Sequence, residues 1–397
     1  MIISERLKNL PASPIRELGD FVQQAKQAGK KIIPLNIGQP DVETPRAYFE
    51  AIKNFDLPVV AYGDSHGDTN LIEAMRKYFA SWGINYTADN IYITNGGSEA
   101  VGFAIMSLCD VADEVIMFEP FYANYKSYTQ SYSAKIVPVP TEAEKGYHLP
   151  DAATIEKAIT PRTKAIFLTN PGNPTGVVYT EEEMQMIADI VVKHNLALIS
   201  DEVYREFVYD GAYKSFASMP ELEDSLIVID SVSKRFSACG VRIGSIITKN
   251  KELSANLIKC CQSRLCPPAL EQIGAAALYT TPNEYFQSVN AEYKKRRDTI
   301  KAELAKIPGL VASDPKGAFY VMVKLPIDDT VKFAKWLLTD FADNGETILI
   351  APGYGFYQTP GKGLNEARLA YVINSERLTR AIQLLGKGLE QYNKINK

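Results

Sequence analysis

The feature that most constrains the fold of this chain is an alternation of short apolar strands with helices between residues 91 and 248. Runs this short and this rich in β-branched residues are typical of strands buried on both faces of a sheet. Their alternation with helices predicts an α/β domain whose sheet is mostly parallel, of the seven-stranded type and covered by helices. The predicted strands are Ile91–Ile93, Glu114–Phe118, Lys135–Val139, Lys164–Thr169, Leu196–Ser200, Leu226–Asp230 and Ile243–Thr248, and the predicted helices between them include Ser98–Cys109, Ala123–Tyr132 and Glu181–His194.

The pattern changes after residue 250, where long helical stretches precede a second group of strands. This change predicts a smaller α+β domain. We expect the large domain to span 47–285, and the small domain to comprise 1–46, with an N-terminal arm, together with 286–397. The helices predicted outside the sheet region are Ile15–Ala28, 251–265, 268–281, 284–306, Val331–Asp343 and one beginning near Ser375; the further strands are Ala318–Val323, Thr347–Ile350 and Ala367–Ile373.

Composition excludes several classes of function. The 397 residues exceed one ordinary domain, and 43 basic against 47 acidic side chains give a net charge of −4. No footprint for nucleic acid is therefore expected. No apolar run approaches the ~20 residues that span a bilayer, and Met1–Leu10 has no apolar signal core. Five cysteines without CxxC spacing and three histidines argue against disulfides and a metal site, and favour a cytoplasmic location.

The segment Ser231–Gly244 carries the strongest candidate chemistry. It follows the predicted strand Leu226–Asp230, and open α/β sheets bind ligands where their strands end. Lys234 lies there among small residues, where a desolvated amine can attack a carbonyl and form a Schiff base. Arg242 stands between two glycines, and its planar guanidinium suits a phosphate. A surface lysine and a salt-bridged arginine are the ordinary alternative for such a pair.

Three more loops follow predicted strands and supply complementary groups. Asn173 lies in a loop with two Asn-Pro steps, which would hold its amide rigidly. Asp201 follows an apolar strand, with the phenol of Tyr204 three residues later. The turn Gly96-Gly97-Ser98 opens a helix whose first N–H groups can cradle a phosphate. Alone, each loop has an ordinary alternative: a turn, a helix N-cap with a core tyrosine, or simple strand-to-helix punctuation.

Taken together, these loops bring a lysine, an arginine, a carboxylate, an amide, a phenol and a phosphate cradle to one edge of one sheet. That set fits a phosphorylated aromatic aldehyde with a protonated ring nitrogen, pyridoxal 5′-phosphate. The chain also resembles the class I/II aminotransferases of the fold type I pyridoxal-phosphate enzymes, nearest to the aspartate-aminotransferase-like branch. The likeness covers almost the whole chain, and its motifs are Asn36–Asp41, Tyr62…Gly67, Gly96–Ser98, Asn170–Gly176, Asp201–Tyr204, Ser231–Gly244 and Arg368-Leu369.

The resemblance implies a role for each matching residue. Lys234 would hold the cofactor as a Schiff base and move the substrate proton, while Asp201 would pair with the ring nitrogen. Tyr62 would reach the phosphate in the neighbouring subunit, which implies a homodimer. The remaining implied roles are hydrogen bonds to the ring oxygen from Tyr204 and Asn173, phosphate binding by Gly96, Gly97, Ser98, Ser231 and Arg242, ring stacking by Tyr122, and substrate binding by Gly38, Asn173 and Arg368, the last through the α-carboxylate.

The resemblance leaves the substrate open. It implies transfer of an amino group from an amino acid, with aspartate as the leading candidate, to a 2-oxo acid such as 2-oxoglutarate. The segment Arg264–Pro268 departs from the Ser, Thr and Asn that relatives often carry near the cofactor. No second arginine for a side-chain carboxylate maps onto a family motif; Arg264 and Arg16 are candidates, but the sequence favours a surface position for each.

Two other functions use the same cofactor. One is a carbon–sulfur lyase or another non-transaminase on the same scaffold, since a fold does not fix a reaction. The other is a pyridoxal-phosphate-binding regulator with an added DNA-binding module. Only about 30 residues precede Asn36–Asp41, and no basic region is present, so the regulator is the less favoured of the two.

Overall fold

The structure is a computed structural model that describes residues 1–11, 17–56 and 58–395. The α-helices are α1 (Glu5–Lys8), α2 (Gly19–Gln27), α3 (Arg46–Lys53), α4 (Thr69–Ser81), α5 (Gly96–Leu108), α6 (Asn124–Ser131), α7 (Ala152–Lys157), α8 (Glu181–His194), α9 (Val232–Arg235), α10 (Lys251–Ser263), α11 (Ala269–Leu278), α12 (Asn283–Leu304), α13 (Thr330–Thr339) and α14 (Ser375–Ile395). The strands are β1 (Lys31–Pro34), β2 (Ile91–Thr94), β3 (Glu114–Glu119), β4 (Lys135–Pro140), β5 (Thr163–Thr169), β6 (Ala197–Asp201), β7 (Leu226–Ser231), β8 (Gly244–Ile247), β9 (Val311–Ala312), β10 (Tyr320–Lys324), β11 (Glu346–Leu349), β12 (Ala351–Pro352) and β13 (Glu366–Ala370).

A seven-stranded sheet with the order β2-β8-β7-β6-β5-β3-β4 confirms the predicted α/β class. The pairs from β7 to β4 are parallel, and β8 runs antiparallel to both of its neighbours. Each of the seven strands predicted from the sequence is present, with its ends within about one residue of the prediction. Short apolar runs were therefore sufficient to locate this sheet.

The sheet is buried on both faces, which explains why its strands are continuously apolar. Successive side chains of a strand point to opposite faces. In β5, Ile166 and Leu168 accordingly join one core cluster, whereas Ala165 and Phe167 join the other. Helices on both faces contribute to these clusters, together with loop residues such as Val177, so the sheet lies between two apolar layers.

A second group of elements forms the smaller α+β part. Its antiparallel sheet has the order β12-β13-β10-β9, and β1 pairs in parallel with β11. Helices α12, α13 and α14 pack around these strands over a third core cluster, which also takes in Tyr204 and Phe207. The boundaries of the two domains at 46/47 and 285/286 remain a prediction.

Some elements differ from the sequence expectation. The predicted helix Ile15–Ala28 begins at Gly19, and Ile15 and Arg16 lie outside the described residues. Helices α3 and α4 were not assigned from the sequence, although Asp68 caps α4 by accepting a hydrogen bond from the Leu71 amide. Among the helices of the described ranges, none is both long and apolar enough to cross a membrane.

Candidate active site

The loops at the carboxyl ends of the parallel strands converge on one cavity of about 380 Å³. This cavity brings together most of the residues predicted from separate segments of the sequence. The predicted residues that line it are Gly38, Gly97, Ser98, Tyr122, Asn173, Asp201, Tyr204, Ser231, Lys234, Arg242 and Arg368. Gly96 does not line the cavity itself but contacts Arg242, which does. Tyr62 lines a different depression.

One end of the cavity is a cradle for an anion. Helix α5 begins at Gly96, so its unpaired N–H groups and the helix dipole face this end. Arg242 has a positive φ of 58° and brings its guanidinium so close that a Cβ atom at Gly96 would lie 2.1 Å from Nη2. A Cβ atom at Gly244 would lie 2.5 Å from the Gly97 nitrogen. At Gly244 the obstructing atoms belong to the backbone, and at Gly96 the positive φ of 72° adds to the crowding by Arg242, so glycine is favoured at both positions.

Lys234 extends into the cavity from the short helix α9. Its Nζ donates to the carbonyl oxygen of Gly38 at 3.1 Å and lies 3.8 Å from Cys239 Sγ. Ser231 caps this helix by accepting from the Ser233 amide at 3.1 Å, and its own hydroxyl donates to the Ile243 carbonyl oxygen at 2.9 Å. A buried ion pair between Arg235 and Asp230 connects this helix to the end of β7. The amine is thus presented by a tightly bonded turn.

Asp201 ends β6 and is almost fully buried. Its Oδ2 accepts a hydrogen bond of 2.6 Å from the phenol of Tyr125, and its Oδ1 accepts one of 3.3 Å from the Val203 amide. Burial raises the pKa of Asp201 to about 6, although these two hydrogen bonds oppose the rise. A cationic group beside this carboxylate would favour its charged form.

Three residues that line the cavity, Arg368, Asn173 and Tyr204, are joined by hydrogen bonds. Arg368, 1% exposed on β13, donates from Nη1 to Asn173 Oδ1 at 3.0 Å and from Nη2 to the Asn36 carbonyl oxygen at 2.6 Å. Asn173 Nδ2 in turn donates to Tyr204 Oη at 3.3 Å. The Arg368 guanidinium also lies 4.5 Å from the centre of the Tyr320 ring. Asn173 therefore connects the buried guanidinium of Arg368 to the phenol of Tyr204.

Sequence reasoning missed three tyrosines of the cavity wall, Tyr125, Tyr128 and Tyr320. Tyr125 follows Tyr122 at helical spacing, and their rings are perpendicular with centres 5.3 Å apart, so this spacing was an available signal. Tyr320 comes from β10 in the other sheet and had no local signal.

Tyr62 and Arg264 do not line the cavity. Tyr62 is 82% exposed and lines a separate depression with Arg264 and Cys266. Arg264 donates from Nη2 to the Ile93 carbonyl oxygen at 2.7 Å, its Nε lies 3.4 Å from a Glu99 carboxylate oxygen, and it is not among the residues that line the cavity. Arg264 therefore does not reach the cavity of its own chain.

Comparison with known proteins decides the family. The family described as "Aminotransferase class I and II" matches residues 30–384. The chain belongs to the class I and II aminotransferases. A probable aspartate aminotransferase of Methanocaldococcus jannaschii is 32% identical over 97% of this chain and 99% of its own length. A probable aspartate/prephenate aminotransferase of Thermus aquaticus is 29% identical over 98% of this chain and 99% of that protein.

Solved structures agree with this membership. An alanine aminotransferase from Pyrococcus furiosus superposes with a TM-score of 0.90 at 30% identity, covering 98% of this chain and 100% of that one. A single mutant of the aspartate aminotransferase from Thermus thermophilus gives a TM-score of 0.88 at 26% identity and the same coverage. This aminotransferase is a pyridoxal-phosphate-dependent enzyme, as the sequence predicted.

The residues present fit this cofactor. The cradle at Arg242 leaves no room for a side chain at Gly96 but has the donors that a phosphate needs. A buried carboxylate, Asp201, is available for a protonated ring nitrogen, and an amine, Lys234, for the aldehyde. The phosphate, the ring nitrogen and the aldehyde of the cofactor therefore each have a chemically matched partner in the same cavity.

Proposed function

We propose that the enzyme transfers an amino group from an amino acid, with aspartate as the first candidate, to a 2-oxo acid such as 2-oxoglutarate. The observation that carries this proposal is Arg368, a buried arginine on the wall of the cavity that also holds Lys234 and Asp201. A guanidinium binds a carboxylate with two parallel hydrogen bonds. Every amino acid and every 2-oxo acid carries such a carboxylate next to its reacting carbon.

The bound cofactor supplies a conjugated ring that accepts the electron pair released at the substrate α-carbon. In our proposal Arg242, Gly96, Gly97, Ser98 and Ser231 bind the phosphate. Asp201 keeps the ring nitrogen protonated, and Tyr122 covers one face of the ring. Lys234 binds the aldehyde carbon and afterwards carries a proton between the substrate α-carbon and cofactor C4′.

The remaining groups orient the substrate. Arg368, with the backbone of Gly38, holds the α-carboxylate, while Asn173 and Tyr204 hydrogen-bond the ring oxygen. This fixes the direction of the α-carbon–hydrogen bond relative to the ring, which is a matter of positioning. Aspartate is the first candidate because several relatives are named aspartate aminotransferases.

The half-reactions test the substrate. Holoenzyme mixed with each amino acid in turn should lose its visible absorbance with aspartate and give the pyridoxamine form of the cofactor. Loss of absorbance with other amino acids but not with aspartate would contradict the proposed donor. Release of pyruvate and sulfide from a sulfur amino acid without any 2-oxo acid would instead indicate a lyase.

Replacing Arg368 with lysine should lower kcat/KM for the amino donor by about a hundredfold, because one charge-assisted hydrogen bond is lost and the buried amide of Asn173 loses its donor. Steady-state kinetics would measure this. Arg377→Lys, on the exposed face of α14, is the matched control and should leave kcat/KM unchanged. An equal loss with an amine that lacks the carboxylate would contradict the assigned role.

We also propose that the active unit is a homodimer in the cytoplasm, in which Tyr62 completes the partner's phosphate site. In support, Tyr62 is exposed beside Val59 and Val60, which form an apolar patch, and the cysteines of the described residues are free thiols. We assign the large domain to 47–285 and the small domain to 1–46 with 286–397.

Mass photometry should find a species of two chains. Mixing Lys234→Ala chains with Tyr62→Ala chains should produce hybrids in which one site has both groups intact, and activity should rise well above that of either parent. An active monomer, or no gain on mixing, would contradict the shared site.

A further inference from the structure

Tyr320 contacts three of the proposed site residues at once, yet has no role in the proposed function. It is 2% exposed, and its hydroxyl lies 3.0 Å from the hydroxyl of Tyr204. Its ring lies under the guanidinium of Arg368. The hydroxyl also packs against Gly38, where a Cβ atom would lie only 1.8 Å from it. These contacts leave Tyr320 a single well-defined position.

The direction of the hydrogen bonds around Tyr204 follows from proton counting. Arg368 has only donors, so the atom of Asn173 that faces it at 3.0 Å is the amide oxygen. The NH₂ group of Asn173 then faces Tyr204 and donates to its Oη at 3.3 Å. A phenol has one proton to donate. The bond between the two phenols can therefore run either way, and its direction decides where the Tyr204 proton points.

We propose that Tyr320 is a positioning residue that donates to Tyr204 Oη, so that the single proton of Tyr204 points into the cavity toward the cofactor ring oxygen. This inference rests on the proposed function, in which Tyr204 hydrogen-bonds that oxygen. If Tyr204 donated to Tyr320 instead, Tyr204 would present only lone pairs to an electron-rich oxygen in a dry cavity, which is costly. Burial also raises the pKa of Tyr204 well above its usual range, so the proton is retained.

Hydrogen bonds link the proposed carboxylate-binding residue, Arg368, to Tyr204 and Tyr320. Tyr320 and Arg368 lie on the paired strands β10 and β13, and Arg368 reaches Tyr204 through Asn173. Two hydrogen bonds thus converge on Tyr204 Oη, one from Asn173 and one from Tyr320. Donors to a hydroxyl oxygen strengthen the bond that this hydroxyl itself donates. Loss of the Tyr320 hydroxyl should therefore weaken the hydrogen bond from Tyr204 to the ring oxygen.

The test is a pH titration of the visible absorbance of the holoenzyme. Tyr320→Phe removes one oxygen and keeps the packed ring. We expect its titration midpoint to rise by about half a pH unit to one unit. A weaker hydrogen bond to the ring oxygen leaves more negative charge on that oxygen, which then holds the proton on the adjacent Lys234 nitrogen more tightly. Tyr204→Phe should raise the midpoint further, and the double variant should match Tyr204→Phe alone.

A structural control is available in the same region. Tyr371→Phe removes a buried phenol that donates to the Ala318 carbonyl oxygen at 3.3 Å, and should change the melting temperature without moving the midpoint. An unchanged midpoint in Tyr320→Phe, with a shifted one in Tyr204→Phe, would overturn the inference and leave the proposed function standing. A further shift of the same size when Tyr320→Phe is added to Tyr204→Phe would overturn it too. Wild-type protein that gains no absorbance with the cofactor would overturn both.

Discussion

Lys234→Ala is expected to lower transamination by at least about a thousandfold, the largest effect of any single substitution in the cavity. The variant loses both the amine that binds the aldehyde and the group that moves the proton at the α-carbon. The phosphate cradle at Gly96 and Arg242 is untouched, so the cofactor should still bind without a covalent bond. Single-turnover mixing with aspartate, followed by absorbance, would measure the loss.

The covalent step has its own measurement. Borohydride reduction of wild-type holoenzyme followed by peptide mass spectrometry should find the cofactor on Lys234 and on no other lysine. Lys214→Ala is a suitable control, because Lys214 does not line the cavity. Its Nζ forms an ion pair of 2.7 Å with Glu181. An adduct on a different lysine, or substantial turnover by Lys234→Ala, would show that another amine performs the reaction.

The sequence predicted the central sheet well because strand burial is a local property of composition. A run such as Leu226–Ser231, buried at every residue, can hardly be anything but an interior strand. Helix α4 was harder. Leu71, Ile72, Met75 and Phe79 do lie on one face of it, but its polar residues dilute the pattern. Such a helix becomes evident only once the surface that it covers is known.

The predicted site depended on a topological rule rather than on contacts. Groups that follow parallel strands meet at one edge, and this rule brought Asn173, Asp201 and Lys234 together. Tyr320 escaped it because it lies in a separate antiparallel sheet, 116 positions from Tyr204 along the chain. For Arg264 the sequence favoured a surface residue over a substrate ligand, and in the structure Arg264 lines the separate depression beside Tyr62 rather than the cavity.

Asp201→Asn is expected to lower the rate of the amino-acid half-reaction by about a hundred- to a thousandfold. The amide keeps the shape of the carboxylate and can still accept the hydrogen bond from Tyr125, so the packing of the site should survive. It has no charge, however, and cannot hold a proton on the ring nitrogen. The ring then accepts electrons poorly, and stopped-flow absorbance with aspartate would measure the slower step.

The same substitution should remove a pH dependence. Burial raises the pKa of Asp201 in the cofactor-free protein from 3.8 to about 6, so between these values the folded state binds more protons than the unfolded state. The stability of the cofactor-free protein should therefore fall as the pH rises through this window. Cofactor affinity should move the opposite way, because a protonated ring nitrogen pairs with the charged carboxylate.

As the pH falls below 6, the affinity of both proteins for the cofactor should fall. The affinity of the wild type should fall more steeply than that of Asp201→Asn, by up to about a further tenfold per pH unit. Comparing the two proteins cancels the titration of the cofactor phosphate, which both share. Fluorescence titration of cofactor-free protein at pH 5, 6 and 7 would provide the dissociation constants. Parallel pH profiles for the two proteins would show that the ring nitrogen does not pair with this carboxylate, even if both proteins bound the cofactor tightly.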